Sequence, residues 1–502
     1  MRQPLPVFIV LLCTVMAIGC SSSRRAFNPE KKYAPQELQQ DYRLFRNILE
    51  ESHPGLYWFT PKDSMDLYFD QGYRLLGDSM GETSFRNILS YVTSKIRCGH
   101  TTVKYSKKYS HYLDTLRQRM FPLSLKVWPD SMAVVANLNR RDAILKRGTV
   151  ITAIDGRRTV QLTDSFFNYI SADGHILSGK YQTLSNRGTF GNLYRNIYGL
   201  NDQFTITYVD SMGFEKETII PVYEPPVDTG RRATAARPPR TPSKEEPRPV
   251  VLRGSRNVQI DTTLHSAYMT VNTFLRGNGL KSFFRRTFRE LRKRNIQSLV
   301  VDVRGNGGGD ASNSTLLTRY LVNKKFKLAD SLYAVRRTSD YSRYIEMQPL
   351  YWLMTQFITH KKSDGLYHFG FFERHYFKPK KKHHFDGDIY IITGGNSFSA
   401  TTLFAKVLQG QSNVKIVGEE TGGGAYGNSA WMIPDVTLPH THVRFRLPKF
   451  RLVLDKTLVK DGRGVIPDIE AAPTAESIRR GIDPKVDTVR RLIMLKHGMA
   501  QQ

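Results

Sequence analysis

Between Pro35 and Lys95 the apolar positions recur every three or four residues. Leu38, Tyr42, Leu44, Phe45, Ile48 and Leu49 fall on one helical face. His53-Pro54-Gly55 breaks that period. The spacing predicts a second helix over Ser64–Leu76 and a third over Thr83–Ile96, with Thr83 or Ser84 as N-cap. The period then shortens. Leu123–Val127 and Met132–Ala136 alternate or run apolar as strands do, and Gly148–Gly156 reads as a short strand closed by an Asp-Gly turn. Phe204–Val209 and Glu217–Val222 read as a hairpin. Residues 224–250 are rich in Pro, Arg, Ala and Thr and nearly free of apolar residues, which predicts a flexible linker or a long surface insertion. Beyond 256 the pattern changes again, to a strand at Ser266–Val271, a helix at Leu280–Lys293 and a strand at Ser298–Val303. A strand at Asp388–Thr393, a helix from Phe398 to Leu408 and a strand at Val414–Val417 follow. Short apolar strands alternating with helices predict an α/β core.

Composition narrows this picture. A chain of 502 residues can hold two to four domains, and 40% hydrophobic with 24% charged residues is ordinary for a globular protein. The net charge of +29 would suit nucleic acid, an anionic membrane surface or an acidic substrate. Its densest run, Arg285 to Arg294, carries Phe284, Phe288 and Leu291 at helical spacing, so it reads as an amphipathic helix with one solvated basic face. A second run spans Lys378 to Lys382. No zinc-finger spacing or RNA-binding aromatic signature accompanies the charge, so no nucleic-acid partner is expected. The cysteines are Cys13, Cys20 and Cys98, too few for a disulfide framework.

The N-terminus reads as an address. Arg2 precedes the apolar run Val7–Ala17, which is too short to span a bilayer. Ala17-Ile18-Gly19-Cys20 resembles a bacterial lipoprotein processing site, although Ala17 stands where leucine is usual. The resemblance implies cleavage before Cys20 and a diacylated cysteine that anchors the chain to a membrane of the cell envelope, on its periplasmic or outer-membrane face. An ordinary signal peptide with an incidental cysteine is the other reading. Farther along, the stretch Arg147-Gly148-Thr149-Val150-Ile151-Thr152-Ala153-Ile154-Asp155-Gly156 resembles a PDZ domain. Such modules capture peptides by strand addition. A structural β module that binds nothing is the alternative.

Three segments carry chemistry. Val300 to Asp310 runs an apolar strand into the loop Arg304-Gly305-Asn306-Gly307-Gly308-Gly309, whose N–H groups can face open space. It is not a phosphate loop, since no Gly-Lys-Ser/Thr follows. Ile391 to Ala400 ends a strand, turns, and opens a helix at Ser399, where free N–H groups meet an exposed hydroxyl. Ser397 or Ser399 as a mere N-cap is the plain alternative. Cys98-Gly99-His100-Thr101 supplies a histidine, the usual base for serine at neutral pH. Cys98 itself reads as a buried structural thiol. His383, His384, His440 and His442 match no common zinc spacing, and no metal or cofactor is expected.

Together, His100-Thr101, Asp302 to Gly309, Asn396 to Ala400, Gly418-Glu419-Glu420-Thr421 and Gly464-Val465-Ile466-Pro467-Asp468 resemble the C-terminal processing peptidase and tricorn-core family of serine peptidases. The resemblance implies a multidomain α/β protein whose core is similar to crotonase and Clp-protease folds. It implies Ser399 as nucleophile and an oxyanion hole from Gly307 or Gly308 and Ala400. No lysine lies between Lys415 and Lys449, so the family's serine–lysine style does not fit. Its tricorn-like style implies His100 as base and Asp461 as supporting acid. That style has serine before the histidine, where this chain has Gly99.

The expected organisation is a signal peptide (1–19), a tether (20–33), a helical domain with His100 (34–105), a PDZ-like module (106–223), a linker (224–255), a catalytic core (256–480) and a C-terminal helix (481–502). The expected activity is acyl-enzyme hydrolysis of exported proteins or peptides, falling as pH drops through about 6.5, the ordinary imidazole value. A non-catalytic peptide-binding lipoprotein, a polyanion-binding surface protein and an esterase are the rival readings. The missing Gly-x-Ser-x-Gly elbow counts against the esterase. Oligomeric state is not legible.

Overall fold

The structure, a computed structural model, describes residues 27–226 and 248–496. The expected signal peptide, Cys20 and most of the linker fall outside them.

The later part of the chain is built on a six-stranded sheet. Its order is Arg256–Asp261, Ser266–Val271, Ser298–Asp302, Asp388–Thr393, Val414–Gly418 and Ile469–Glu470. The first pair is antiparallel and the rest are parallel. Because side chains alternate along a strand, each central strand feeds two cores. Leu299, Val301, Ile389 and Ile391 face helices Leu280–Lys293, Ala311–Leu321 and Ala400–Leu408. Val300, Tyr390 and Ile392 face the C-terminal helix Pro484–Lys496. The Leu280–Lys293 helix buries Phe284, Phe288 and Leu291, while Arg285, Arg286, Arg289 and Arg292 stay exposed. The densest basic run is therefore a solvated helix face.

Residues 123–221 form a second, all-antiparallel sheet. Asp155 and Gly156 take left-handed φ values of 49° and 73°, as the tight turn requires. Three helices that the sequence reading missed close this sheet: Thr159–Phe167, Ser178–Ser185 and Thr189–Tyr198. Their Phe166, Phe190 and Tyr194 pack on Phe121 and Phe204.

The N-terminal helices form as Pro35–Ser52, Lys62–Arg74 and Glu82–Ile96, the last capped by Gly81 rather than Thr83 or Ser84. Their core is not their own. Val436, Leu438, Val443, Phe445 and Leu447, from the hairpin Asp435–Thr437/Arg444–Arg446, fill it. Phe45 meets Phe445 edge-on at 5.0 Å between ring centres. Val103-Lys104 adds a third strand to that hairpin. Buried Asp41 fixes the hairpin loop, accepting from the N–H groups of His440 and Thr441 and from the Thr441 hydroxyl. Residues about 340 to 400 apart in sequence are thus welded, and His100 lies just before the weld.

Candidate active site

Ser399 follows the end of the Asp388–Thr393 strand and immediately precedes the Ala400–Leu408 helix. Its φ of 57° and ψ of −122° are strained for a residue with a Cβ, a cost borne by the surrounding packing. Its hydroxyl makes no capping bond to the helix. Instead it lies 3.0 Å from His100 Nε2. Ser397 does other work. Its buried hydroxyl donates to the Val303 carbonyl at 2.8 Å and accepts from the Gly394 N–H at 3.2 Å, holding the turn to the neighbouring strand.

One further contact touches the imidazole, and others hold the residues that follow it. Phe398 lies against the ring, 4.5 Å between centres. Thr101, next in the chain, bonds through its hydroxyl to His53 Nε2 at 2.7 Å, while the Gly55 N–H donates to His53 Nδ1. The Arg446 N–H donates to the Thr102 carbonyl, where the third strand of the hairpin begins. The helix break at His53-Pro54-Gly55 is therefore part of the support for His100-Thr101.

Gly99 has a steric reason. A Cβ there would sit 2.7 Å from the Phe398 ring and 3.3 Å from Asp173 Oδ1. The serine that the resemblance would place at this position has no room.

The glycine loop approaches Ser399 from the other side. A Cβ on Gly308, whose φ is 99°, would lie 2.8 Å from Ser399 Cβ and 2.8 Å from the Phe398 carbonyl. The Gly308 N–H is already donated to Asn306 Oδ1 at 2.9 Å. Of the two glycines it is therefore Gly307, with open space where a Cβ would be, whose N–H stays a candidate oxyanion donor. Ala400 is the first residue of its helix, where N–H groups lack an intrahelical carbonyl. Asn306 also donates to the Val271 carbonyl, and Arg304 clasps buried Asp302, so this motif anchors the loop.

Asp461 is not brought to the histidine. Its Oδ1 accepts from the Arg463 N–H on an exposed loop, and no hydrogen bond joins it to His100, whose buried Nδ1 has no partner among the described residues. The Gly418–Thr421 motif is structural here. Glu419 pairs with Lys126 and Lys485, and Glu420 pairs with Arg463 and the Gly464 N–H. Sequence reasoning missed Asp173, which is buried beside the histidine loop and accepts from the N–H groups of Gly99 at 2.7 Å and Gly424 at 3.3 Å. Its setting, Ala172-Asp173-Gly174, reads as an ordinary turn and gives no signal.

The site is strongly basic in its electrostatics. Burial first, and then Arg446 and Arg451, push His100 down to about 3. The acid limb near 6.5 expected from an unperturbed imidazole is thus displaced. Burial pushes the Cys98 thiol up to about 11, which leaves it protonated and inert.

Ser399, His100, Gly307 and Ala400 line one wall of a cleft of about 1350 Å³. Its other walls are largely apolar, with Leu316, Leu328, Phe372, Leu403, Trp431 and Leu452. A strained serine, a neutral imidazole within hydrogen-bond reach and free N–H groups beside them are the parts that acyl transfer needs.

Residues 265–471 match Peptidase family S41, so the chain carries a peptidase family S41 domain and is a serine peptidase hydrolase. In fold it is similar to mature CPAF (14% identity, 93% of this chain and 98% of that chain, TM-score 0.63). It is likewise similar to a serine-to-alanine mutant of CPAF (13% identity, 93% and 99%, TM-score 0.65) and to mature CPAF complexed with lactacystin (14% identity, 93% and 99%, TM-score 0.62). No curated protein matches the chain.

Proposed function

We propose that this peptidase cleaves polypeptides of the cell envelope through Ser399 as nucleophile and His100 as general base. The observation that carries this reading is the 3.0 Å approach of His100 Nε2 to the Ser399 hydroxyl, at a serine of strained backbone. As Ser399 Oγ attacks the scissile carbonyl, its proton passes to His100 Nε2. His100 returns that proton to the leaving amine. Water, deprotonated in turn by His100, then attacks the acyl group, and His100 returns that proton to Ser399 Oγ as the acyl group leaves. The Gly307 and Ala400 N–H groups hold the carbonyl oxygen as it becomes negative, and losing one such donor costs about 3 kcal/mol. The apolar cleft walls favour substrates with large apolar side chains near the scissile bond.

The Val7–Ala17 run and Cys20 support export and a lipid anchor. The antiparallel sheet of residues 123–221 supports a PDZ-like role, an extended substrate adding to a sheet edge. Labelling with a fluorophosphonate probe tests the core of the proposal. Wild type should label, and Ser399→Ala and His100→Ala should abolish it. Label that survives Ser399→Ala would refute the nucleophile. Equal silence in folded wild type and variants would favour a non-catalytic peptide-binding protein.

A further inference from the structure

His100 poses a tautomer problem. To accept the Ser399 proton, Nε2 must be bare, so the ring hydrogen sits on Nδ1. Nδ1 is buried and, among the described residues, has no acceptor at hydrogen-bond distance. The ring must also become positive during each acyl transfer, in a site where the nearby charges, Arg446 and Arg451, are both cations that oppose it.

One anion is close by. A ring nitrogen of His100, the Cys98 sulfur and a carboxylate oxygen of Asp173 lie within 4.8 Å of one another, and all three residues are buried. Asp173 is tied to the histidine loop itself, through the Gly99 N–H. Phe398 lies against one face of the imidazole, 4.5 Å between ring centres. The groups facing Asp173 are Cys98 from its own loop, the Gly424 N–H, and Arg451 from the Phe450–Val453 strand; Arg446 faces His100. The thiol is protonated, and among the described residues Asp173 is the carboxylate grouped with His100 that can offset the imidazolium.

We propose that Asp173 is the positioning residue of the His100 base, holding the Nδ1–H tautomer and offsetting the charge that forms on the ring as Ser399 attacks. The proposal rests on the Ser399–His100 reading. The proton balance is unchanged by it: the proton moves from Ser399 Oγ to His100 Nε2 and on to the leaving amine, while Asp173 stays ionised. Burial pushes Asp173 up to about 6, and His100 stays neutral well below that. As pH falls through about 6, Asp173 takes a proton and the site loses its anion. The acid limb of activity therefore belongs to Asp173, with full activity above it.

The test measures kcat and KM for a peptide substrate from pH 5 to 9 in wild type, Asp173→Asn, Asp173→Glu and His100→Ala. Asp173→Asn should lose on the order of 10³-fold in kcat, with KM little changed, and its acid limb near pH 6 should vanish. Asp173→Glu, which keeps the charge, should recover part of the rate. Asn can still accept from Gly99, so a merely structural Asp173 predicts near-wild-type kcat and an unmoved acid limb, and that result would overturn the proposal. Should Asp173→Asn fail to fold, the fluorophosphonate adduct of wild type with isotope-labelled histidine decides. A low-field Nδ1 proton from His100 that disappears below pH 6 supports the proposal, and an Nδ1 proton without low-field character overturns it. His100→Ala separates the two levels. Full activity there sinks the dyad itself, whereas a dead His100→Ala beside a normal Asp173→Asn sinks only the role of Asp173.

Discussion

At the scale of the residue, the site shows what a buried imidazole costs. Burial is the first cause that pushes both His53 and His100 down to about 3 from an ordinary 6.5. A base whose folded value is depressed stabilises the fold above its unfolded value, and that stability drains away as pH falls toward the folded value. Each of these imidazoles therefore withdraws on the order of 5 kcal/mol between pH 6.5 and pH 3. Asp173 works in the opposite sense. Its folded value is raised to about 6 from 3.8, so acidification through that window returns about 3 kcal/mol. Taken together, the two imidazoles outweigh Asp173. Thermal melts should show Tm dropping steeply from pH 6 to pH 4. A Tm level across that range would contradict the burial of His53 and His100.

At the scale of the element, one helix stands apart. Gln348–Ile358 leaves Leu350, Trp352, Leu353 and Phe357 in solvent, Phe357 at 77% exposure. Its Met354 and Ile358 line the same cleft as Ser399. An apolar face continuous with the cleft is suited to a substrate segment beyond the scissile bond. Trp352→Ser with Phe357→Ser should raise KM for an unfolded protein substrate about tenfold, the scale of losing one well-buried apolar contact. A short peptide confined to the cleft should keep its kcat and KM. Equal loss on both substrates would mean that the helix supports the cleft rather than extending it.

Elements also divide what could be read in advance from what could not. The long strands of the parallel sheet and the amphipathic helices stand where the apolar period puts them, because burial on one or both faces leaves a strong pattern. Ser399 was legible from a local strand-turn-helix junction, whereas His100 was legible only because its His-Thr motif joins the others in the family resemblance. Strands such as Ser331–Ala334, Gly427–Ala430 and Phe450–Val453 were not read, being four residues each and set by pairing with distant partners. Asp461 was chosen by its place in a motif, but its carboxylate turns to a local N–H. Asp173 arrives through tertiary packing of a different module, and nothing within ten residues of it marks that destination.

At the scale of the whole molecule, the site is assembled from three separate stretches of chain. His100 comes with the N-terminal helices, Asp173 with the antiparallel-sheet region, and Ser399 with the parallel sheet. The seams are tight. A Cβ on Gly395 would lie 2.3 Å from the Ser178 carbonyl, and Asn186 and Asn396 bond through their side chains at 3.0 Å. The hairpin Asp435–Arg446 is completed only by the N-terminal core, where Val436, Val443 and Phe445 are fully buried. A catalytic region cut at residue 256 would expose that apolar hairpin to water and leave Ser399 without its imidazole. Residues 256–496 alone should therefore be poorly soluble and unlabelled by a fluorophosphonate, while residues 27–496 should label. Supplying residues 27–226 as a separate chain should restore solubility and label together, because the same contacts that cover Phe445 carry His100 into place. Efficient labelling of 256–496 by itself would show that Ser399 is activated from within the parallel-sheet region, and His100 would lose its claim as base.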